Sequence, residues 1–232
     1  MQRSVTLPFR HPTTIMIAGP TGCGKTEFLV QFLQGKALQP FPERIDWIYS
    51  EWQDAYDRLY ISLSITTSIL NLSLPGTRVR FVKDFDETLY DTISPKTRNL
   101  VVLDDQMESE GVRQRGGSAL SKFFTQGSHH RNLTVIYIVQ NLFHAGRGMR
   151  TISLNTHYLV LFKNPRDKSQ VRTLAIQMYP TRTNFLVDAY EDATNVPYGY
   201  LVIDLRPDTP DELRVRTNVL DSTKQIIYTQ AI

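Results

Sequence analysis

Six short runs of the chain are almost continuously apolar: residues 14–18, 45–49, 79–82, 100–103, 134–139 and 158–162. A strand that faces water on one side alternates apolar and polar residues, whereas a strand covered on both faces does not. The runs therefore predict a mainly parallel sheet buried between helices. The longer, mixed segments between them predict helices over 25–34, 54–62, 86–93, 118–128, 167–178 and 183–192, with Asp54, Asp86, Ser118 and Asp167 as N-cap or first-turn residues. Two further strand-like runs, 200–205 and 213–219, flank the turn-rich Pro207-Asp208-Thr209-Pro210 and predict a terminal hairpin. No repeat, low-complexity segment or linker interrupts this alternation. The chain reads as one α/β domain, 1–232, with a core over about 13–180 and a C-terminal helix and hairpin over 181–232.

Composition narrows the class. With 232 residues, 41% of them hydrophobic and 21% charged, the chain is long enough for a real core and ordinary in polarity. No apolar run reaches the length of a membrane span, so no membrane partner is expected. The polar segment 1–12 lacks the apolar centre of a signal peptide. Cys23 is the only cysteine, which excludes an intramolecular disulfide framework and a zinc-type cysteine cluster and points to a reducing compartment. Charge is nearly balanced overall but unevenly placed. Residues 111–166 contain no Asp or Glu, yet hold Arg113, Arg115, Lys122, Arg131, Arg147, Arg150, Lys163 and Arg166. Such a one-signed block suits a polyanionic partner.

The first apolar run feeds directly into Gly19-Pro20-Thr21-Gly22-Cys23-Gly24-Lys25-Thr26, the full pattern of a phosphate-binding loop between a strand and a helix. Its glycines let the backbone turn and aim successive N–H groups at one point, and the opening of the helix adds its positive end. These eight residues and Glu27 are the candidate nucleotide-binding set. Lys25 is expected on the β- and γ-phosphates, and the Thr26 hydroxyl on Mg²⁺. Cys23 lies inside the loop, so thiol modification is expected to interfere with binding.

The run 99–103 ends in Asp104-Asp105. In a parallel sheet the ligand site lies at the carboxyl ends of the strands. Asp104 is the candidate Mg²⁺ ligand and Asp105 the candidate base for an attacking water, with Glu108 and Glu110 as fallbacks. The run 134–139 ends in Gln140, an amide able to donate to a phosphate oxygen and accept from water. If that strand lies between the phosphate-loop strand and the acidic strand, Gln140 faces the γ-phosphate. Trp52 and Tyr56 are candidates to stack on an adenine, with an ordinary core role as the alternative.

The motifs GPTGCGKT and LVVLDD, a strand ending VIYIVQN and the stretch 128–170 together resemble the HerA–FtsK superfamily of DNA-pumping ATPases. Within it they are similar to the poxvirus-type genome-packaging ATPases of large DNA viruses and of Maverick/Polinton (adintovirus) elements. The resemblance covers about residues 13–180. It implies an ASCE/RecA-like P-loop NTPase, a three-layer sandwich of strand order 5-1-4-3-2, working with ATP and Mg²⁺ as a ring, often a hexamer, around double-stranded DNA. It also implies capsid or portal partners and a place in the assembling virion, in the host nucleus or a cytoplasmic factory. Gln140 matches the family's strand-ending glutamine, and Arg131 stands where the family carries an arginine that reaches the neighbouring subunit's nucleotide. Arg147 and Arg150 are weaker candidates for that role. The family's usual second acid is glutamate, where this chain has Asp105. Arg113 and Arg115, set between glycines, are candidate DNA-gripping residues of a pore loop, and Arg147 and Arg150 of a second. The competing readings are a P-loop kinase with 147–150 as its lid, and a scaffold that binds ATP without hydrolysing it.

Overall fold

The computed structural model describes residues 7–69, 77–104, 118–127, 130–143, 149–221 and 223–230. In chain order the strands are β1 (Phe9–Arg10), β2 (Thr14–Ala18), β3 (Leu38–Gln39), β4 (Arg44–Tyr49), β5 (Arg78–Lys83), β6 (Asn99–Asp104), β7 (Leu133–Val139), β8 (Tyr158–Phe162), β9 (Tyr200–Asp204), β10 (Val215–Thr217) and β11 (Ile226–Tyr228). Between them run the helices α1 (Lys25–Gln34), α2 (Asp54–Ile69), α3 (Ser118–Lys122), α4 (Met149–Leu154), α5 (Ser169–Met178) and α6 (Thr183–Ala193).

β2, β6, β7 and β8 are buried along their whole length, as their unbroken apolar runs require. Alternate residues face opposite layers. Ile15 and Ile17 of β2 pack with Phe28, Leu29, Phe32 and Leu33 of α1 and with Tyr56 and Leu59 of α2. Met16 and Ala18 pack on the other side, with Leu120 of α3, Ile152 of α4, Leu174 of α5 and Leu186 of α6. The result is a helix–sheet–helix sandwich with a core on each face.

Two local expectations change form. The segment expected as a helix at 86–93 is a 3₁₀ turn, Glu87–Thr92, capped by the Asp86 carboxylate accepting from the Thr88 N–H at 2.9 Å. The helix expected over 118–128 is α only as far as Lys122, then widens into a π turn, Phe123–Gly127. The wider turn accommodates two consecutive buried rings, Phe123 and Phe124.

The sheet order corrects the expectation more substantially. The nine strands run β11-β10-β9-β8-β2-β7-β6-β4-β5, so the six parallel strands, taken in chain order, stand 6-1-5-4-2-3 rather than 5-1-4-3-2. The departure is β5, which adds outside β4 as an edge strand. Its sequence suits an edge, since Arg78, Arg80 and Lys83 are exposed and keep further strands from adding. Its register is held by Asp46 of β4. This buried carboxylate binds Arg80 and Arg44 at 2.8 Å each and stands opposite Arg80 in the pairing. The C-terminal hairpin also proves larger than expected: β9 pairs antiparallel with β8, and β10 and β11 continue the main sheet. A small parallel pair, β1 with β3, sits apart from it. Among the described residues, no helix is long and apolar enough to cross a membrane.

At the N-terminal end of the sheet, His11 is buried between two elements. Its Nε2 donates to Asn132 Oδ1 at 3.0 Å, and its Nδ1 accepts from the Thr134 hydroxyl at 2.8 Å. The Thr134 oxygen in turn accepts from the Thr13 N–H at 3.2 Å, which leaves its own proton for the imidazole. This network is satisfied by a neutral ring. Burial pushes the His11 pKa below its ordinary value, against the hydrogen bond to Asn132 and amid the opposed fields of Arg98 and Glu43. The unfolded chain therefore takes up a proton at this site near pH 6.5, before the folded chain does. Stability is expected to hold above that pH and to fall as pH drops below it, by at most about 1.4 kcal/mol per pH unit. Thermal unfolding followed from pH 7.5 to 5.5 should show this slope, and His11→Gln should flatten it.

Candidate nucleotide site

β2, β6 and β7 end at the same edge of the sheet, and the loop of residues 19–24 is pinned there by the Gly19 N–H donating to the Val139 carbonyl at 3.2 Å. Gly22 and Gly24 hold φ of +78° and +101°, conformations strained for any side chain, and together they bend the loop over the start of α1. Among the described residues no side chain caps α1, whose N-cap is Gly24. Its first N–H groups are thus left for an anion. Lys25 reaches back across the loop, its ammonium donating to the carbonyls of Gly19 at 2.7 Å and Pro20 at 2.8 Å. Glu27 does not turn into the loop; it pairs with Arg58 of α2, whose guanidinium, with Gln31, holds its carboxyl below the usual range.

Facing the loop across a cleft of about 340 Å³ stand Asp104 and Gln140, with Thr21, Lys25 and Thr26 on the near wall. Asp104 ends β6 and is only 3% exposed. Its carboxylate accepts from the Tyr56 hydroxyl at 2.8 Å, which fixes its direction. β7 lies between β2 and β6, so Gln140 leaves its strand between the loop and Asp104. The segment after Gln140 is held in turn by Gln170 of α5, whose side-chain oxygen accepts from the Leu142 N–H at 2.8 Å. Thr26 and Asp104 offer oxygen donors to one space, a set that suits a hard divalent cation.

The structure brings together Gly22, Gly24, Lys25, Thr26, Glu27, Asp104 and Gln140 in the lining of one cleft. Arg131 lies elsewhere. It precedes β7, and seven residues of strand, about 20 Å, separate it from the carboxyl end where the cleft opens. Its guanidinium donates to the Ile93 carbonyl at 3.0 Å and lies over the Tyr90 ring. It does not reach its own chain's cleft. Arg150 is exposed on α4. Asp105, Glu108, Glu110, Arg113, Arg115 and Arg147 lie outside the described residues.

One expectation is corrected. Tyr56 cannot stack on a base, because it is fully buried among Trp47, Trp52 and Phe81 and serves Asp104 instead. Trp52 keeps an exposed edge but packs into the same aromatic cluster. The Cys23 thiol turns inward, where a Cβ on Gly19 would lie 2.7 Å from its sulfur. Burial pushes its pKa up, against the pull of Lys25, which lowers its thiolate share at neutral pH. Tyr56 could not be assigned to Asp104 from sequence, because the contact spans 48 positions.

A glycine-rich loop between a buried strand and a helix, with an acid ending a nearby parallel strand, defines the P-loop NTPase fold. No family model matches the chain. It is 24% identical over 229 residues to Packaging protein 1 of Human adenovirus C serotype 5, a match covering 84% of this chain and 47% of that protein. The chain thus spans about half the length of that relative. Among solved structures it resembles the genome packaging NTPase B204 of Sulfolobus turreted icosahedral virus 2. With ATP-γS bound, that protein gives a TM-score of 0.53 at 13% identity over 95% of this chain and 98% of the other. With AMPPCP bound, the values are 0.52 and 16% over 88% and 96%. B204, the DNA-packaging ATPase of Sulfolobus turreted icosahedral virus, gives 0.50 and 12% over 95% and 98%. At these identities the structural likeness establishes a shared fold.

Proposed function

We propose that this chain is the NTPase of a viral or virus-like genome-packaging machine, hydrolysing ATP to move double-stranded DNA into a capsid. The observation that carries the reading is the cleft itself, in which Lys25 and Thr26 of an intact phosphate loop face Asp104 and Gln140. The packaging proteins to which the chain is similar support the same reading. Thr26 and Asp104 would hold Mg²⁺, which when bound neutralises charge on the phosphate oxygens. Asp104 is kept in place by Tyr56. Lys25 and the N–H groups opening α1 bind the phosphates. Gln140 orients the attacking water, and Asp105 takes its proton as the bond to the γ-phosphorus forms and the bond to the leaving oxygen of ADP breaks.

Arg131, remote from its own cleft, is a candidate to complete the site of the next copy in a ring, a hexamer on the HerA–FtsK pattern. Arg113, Arg115, Arg147 and Arg150 are the candidates to grip DNA backbone without reading bases. Capsid or portal proteins would anchor the ring, in the host nucleus or a cytoplasmic factory. The kinase reading has less support: a strand-ending glutamine beside an acid suits water attack better than transfer to a second substrate.

The test is phosphate release from ATP with and without long double-stranded DNA. Stimulation by DNA of any sequence, weakened by salt, is expected. Arg131→Ala subunits are expected to poison wild-type rings on mixing. Hydrolysis indifferent to DNA would argue against a motor, and Arg131→Ala protein that is fully active alone would remove that residue from the site.

A further inference from the structure

The cleft occupies one flank of the phosphate loop. In the sheet, β7 and β6 lie on one side of β2 and carry Gln140 and Asp104, so the reacting end of a bound nucleotide points that way. The other end must leave the loop elsewhere. On the opposite side of β2 stand β8 and β9, and the connection from α6 into β9 comes against the loop at Gly24. That connection carries Val196-Pro197-Tyr198-Gly199.

Tyr198 is 72% exposed, yet its ring lies against the loop backbone: a Cβ built on Gly24 would meet Tyr198 Cδ1 at 3.1 Å and Phe162 Cε1 at 3.6 Å. The turn is closed by the Gly199 N–H donating to the Val196 carbonyl at 3.0 Å. Pro197 takes its second place, and Tyr198 takes the third with φ of +59°. That place in a type II turn calls for glycine or asparagine, and a tyrosine there is strained. Gly199 locks the turn, since a Cβ at that position would lie 2.4 Å from the Ala193 carbonyl oxygen at the end of α6. An aromatic ring is therefore held in a strained conformation, on a rigid support, at the rim of the nucleotide loop, without being buried. The core gains nothing from this arrangement, but a ligand would.

We propose that Tyr198 is a base-stacking residue, its exposed ring face receiving the nucleobase of the NTP whose phosphates the loop binds. The inference rests on the NTPase reading and adds a position for the base. Stacking uses a π-face that every base has, so ATP and GTP are expected to gain comparably. Trp52 and Tyr56, on the cleft flank, are not needed for it.

The test separates stacking from mere support of the loop by comparing ATP with inorganic tripolyphosphate, which has phosphates and no base. Tyr198→Asn removes the ring while suiting the left-handed backbone, so the variant is expected to melt no lower than wild type. Calorimetric binding should show ATP weakened about ten-fold or more, tripolyphosphate unchanged and Tyr198→Phe close to wild type. In hydrolysis the same loss should appear in KM with little change in kcat. Unchanged ATP affinity in Tyr198→Asn would overturn the proposal. So would an equal loss for ATP and tripolyphosphate, which would make Tyr198 a brace for Gly24. Wild-type protein that binds neither ligand would instead overturn the NTPase reading, and this inference with it.

Discussion

Lys25→Ala is expected to abolish ATP hydrolysis while leaving the fold intact. The ammonium is the positive side chain of the phosphate loop itself, donating to the Gly19 and Pro20 carbonyls at 2.7 and 2.8 Å. Those bonds hold it over the loop, so it has only to exchange carbonyl oxygens for phosphate oxygens. Its loss removes a fixed charge from where negative charge develops, an effect worth at least about two to three orders of magnitude in rate. The loop's path does not depend on it, since the positive φ values of Gly22 and Gly24 and the Gly19–Val139 hydrogen bond set the turn. Phosphate release at background level, with circular dichroism and melting temperature close to wild type, is the expected outcome. Lys25→Arg should not rescue, because a planar fork cannot replace a compact ammonium in so tight a loop. Full activity in Lys25→Ala would refute the site assignment.

The largest stability effect is expected far from the cleft. Arg216 of β10 and Asp204 of β9 form a buried ion pair at 3.2 Å, with side chains 2% and 7% exposed. Arg216 also donates to the Leu7 carbonyl at 3.2 Å, but its buried Nε has no hydrogen-bond partner among the described residues. Burial pushes the arginine below its ordinary pKa, and Asp204 opposes that shift. Asp204→Ala would strand this guanidinium in the core with one carbonyl for company. Breaking such a pair from one side costs about 3–5 kcal/mol. Replacing both partners with apolar residues of similar volume, Arg216→Met with Asp204→Leu, should recover most of that loss, because the double variant buries no charge. Urea midpoints of the single and double variants decide it. A single variant within about 1 kcal/mol of wild type would show that the pair is not desolvated as the structure has it.

Within the chain, legibility follows from how local each determinant is. The strand at 14–18 and the helix at 25–34 are readable residue for residue, because an apolar run bounded by a glycine loop marks both ends without help from elsewhere. Burial of β6, β7 and β8 is readable for the same reason. Asp104 and Gln140 follow, since both end such runs at the edge where a parallel sheet presents its ligands. The order of β5 is not readable. An apolar run reports that a strand is covered, not which strand lies beside it, and the side chain that holds β5 in register is Asp46, 34 positions away from Arg80. The joining of β9, β10 and β11 to the main sheet is opaque for a similar reason, because a hairpin and an extension of a sheet share one local pattern.

Local pattern along the chain suffices for the buried parallel strands, the phosphate loop with its helix, and the polar residues that end β6 and β7, since each depends on neighbours a few positions apart. The rest came from packing between distant segments. That packing turned Tyr56 from a base-stacking candidate into the partner of Asp104, placed Arg131 at the far end of its strand from the cleft, and set Tyr198 on Gly24. Each of these depends on side chains that meet only after sheet order and helix packing bring distant segments together, and neither residue type nor spacing encodes that meeting.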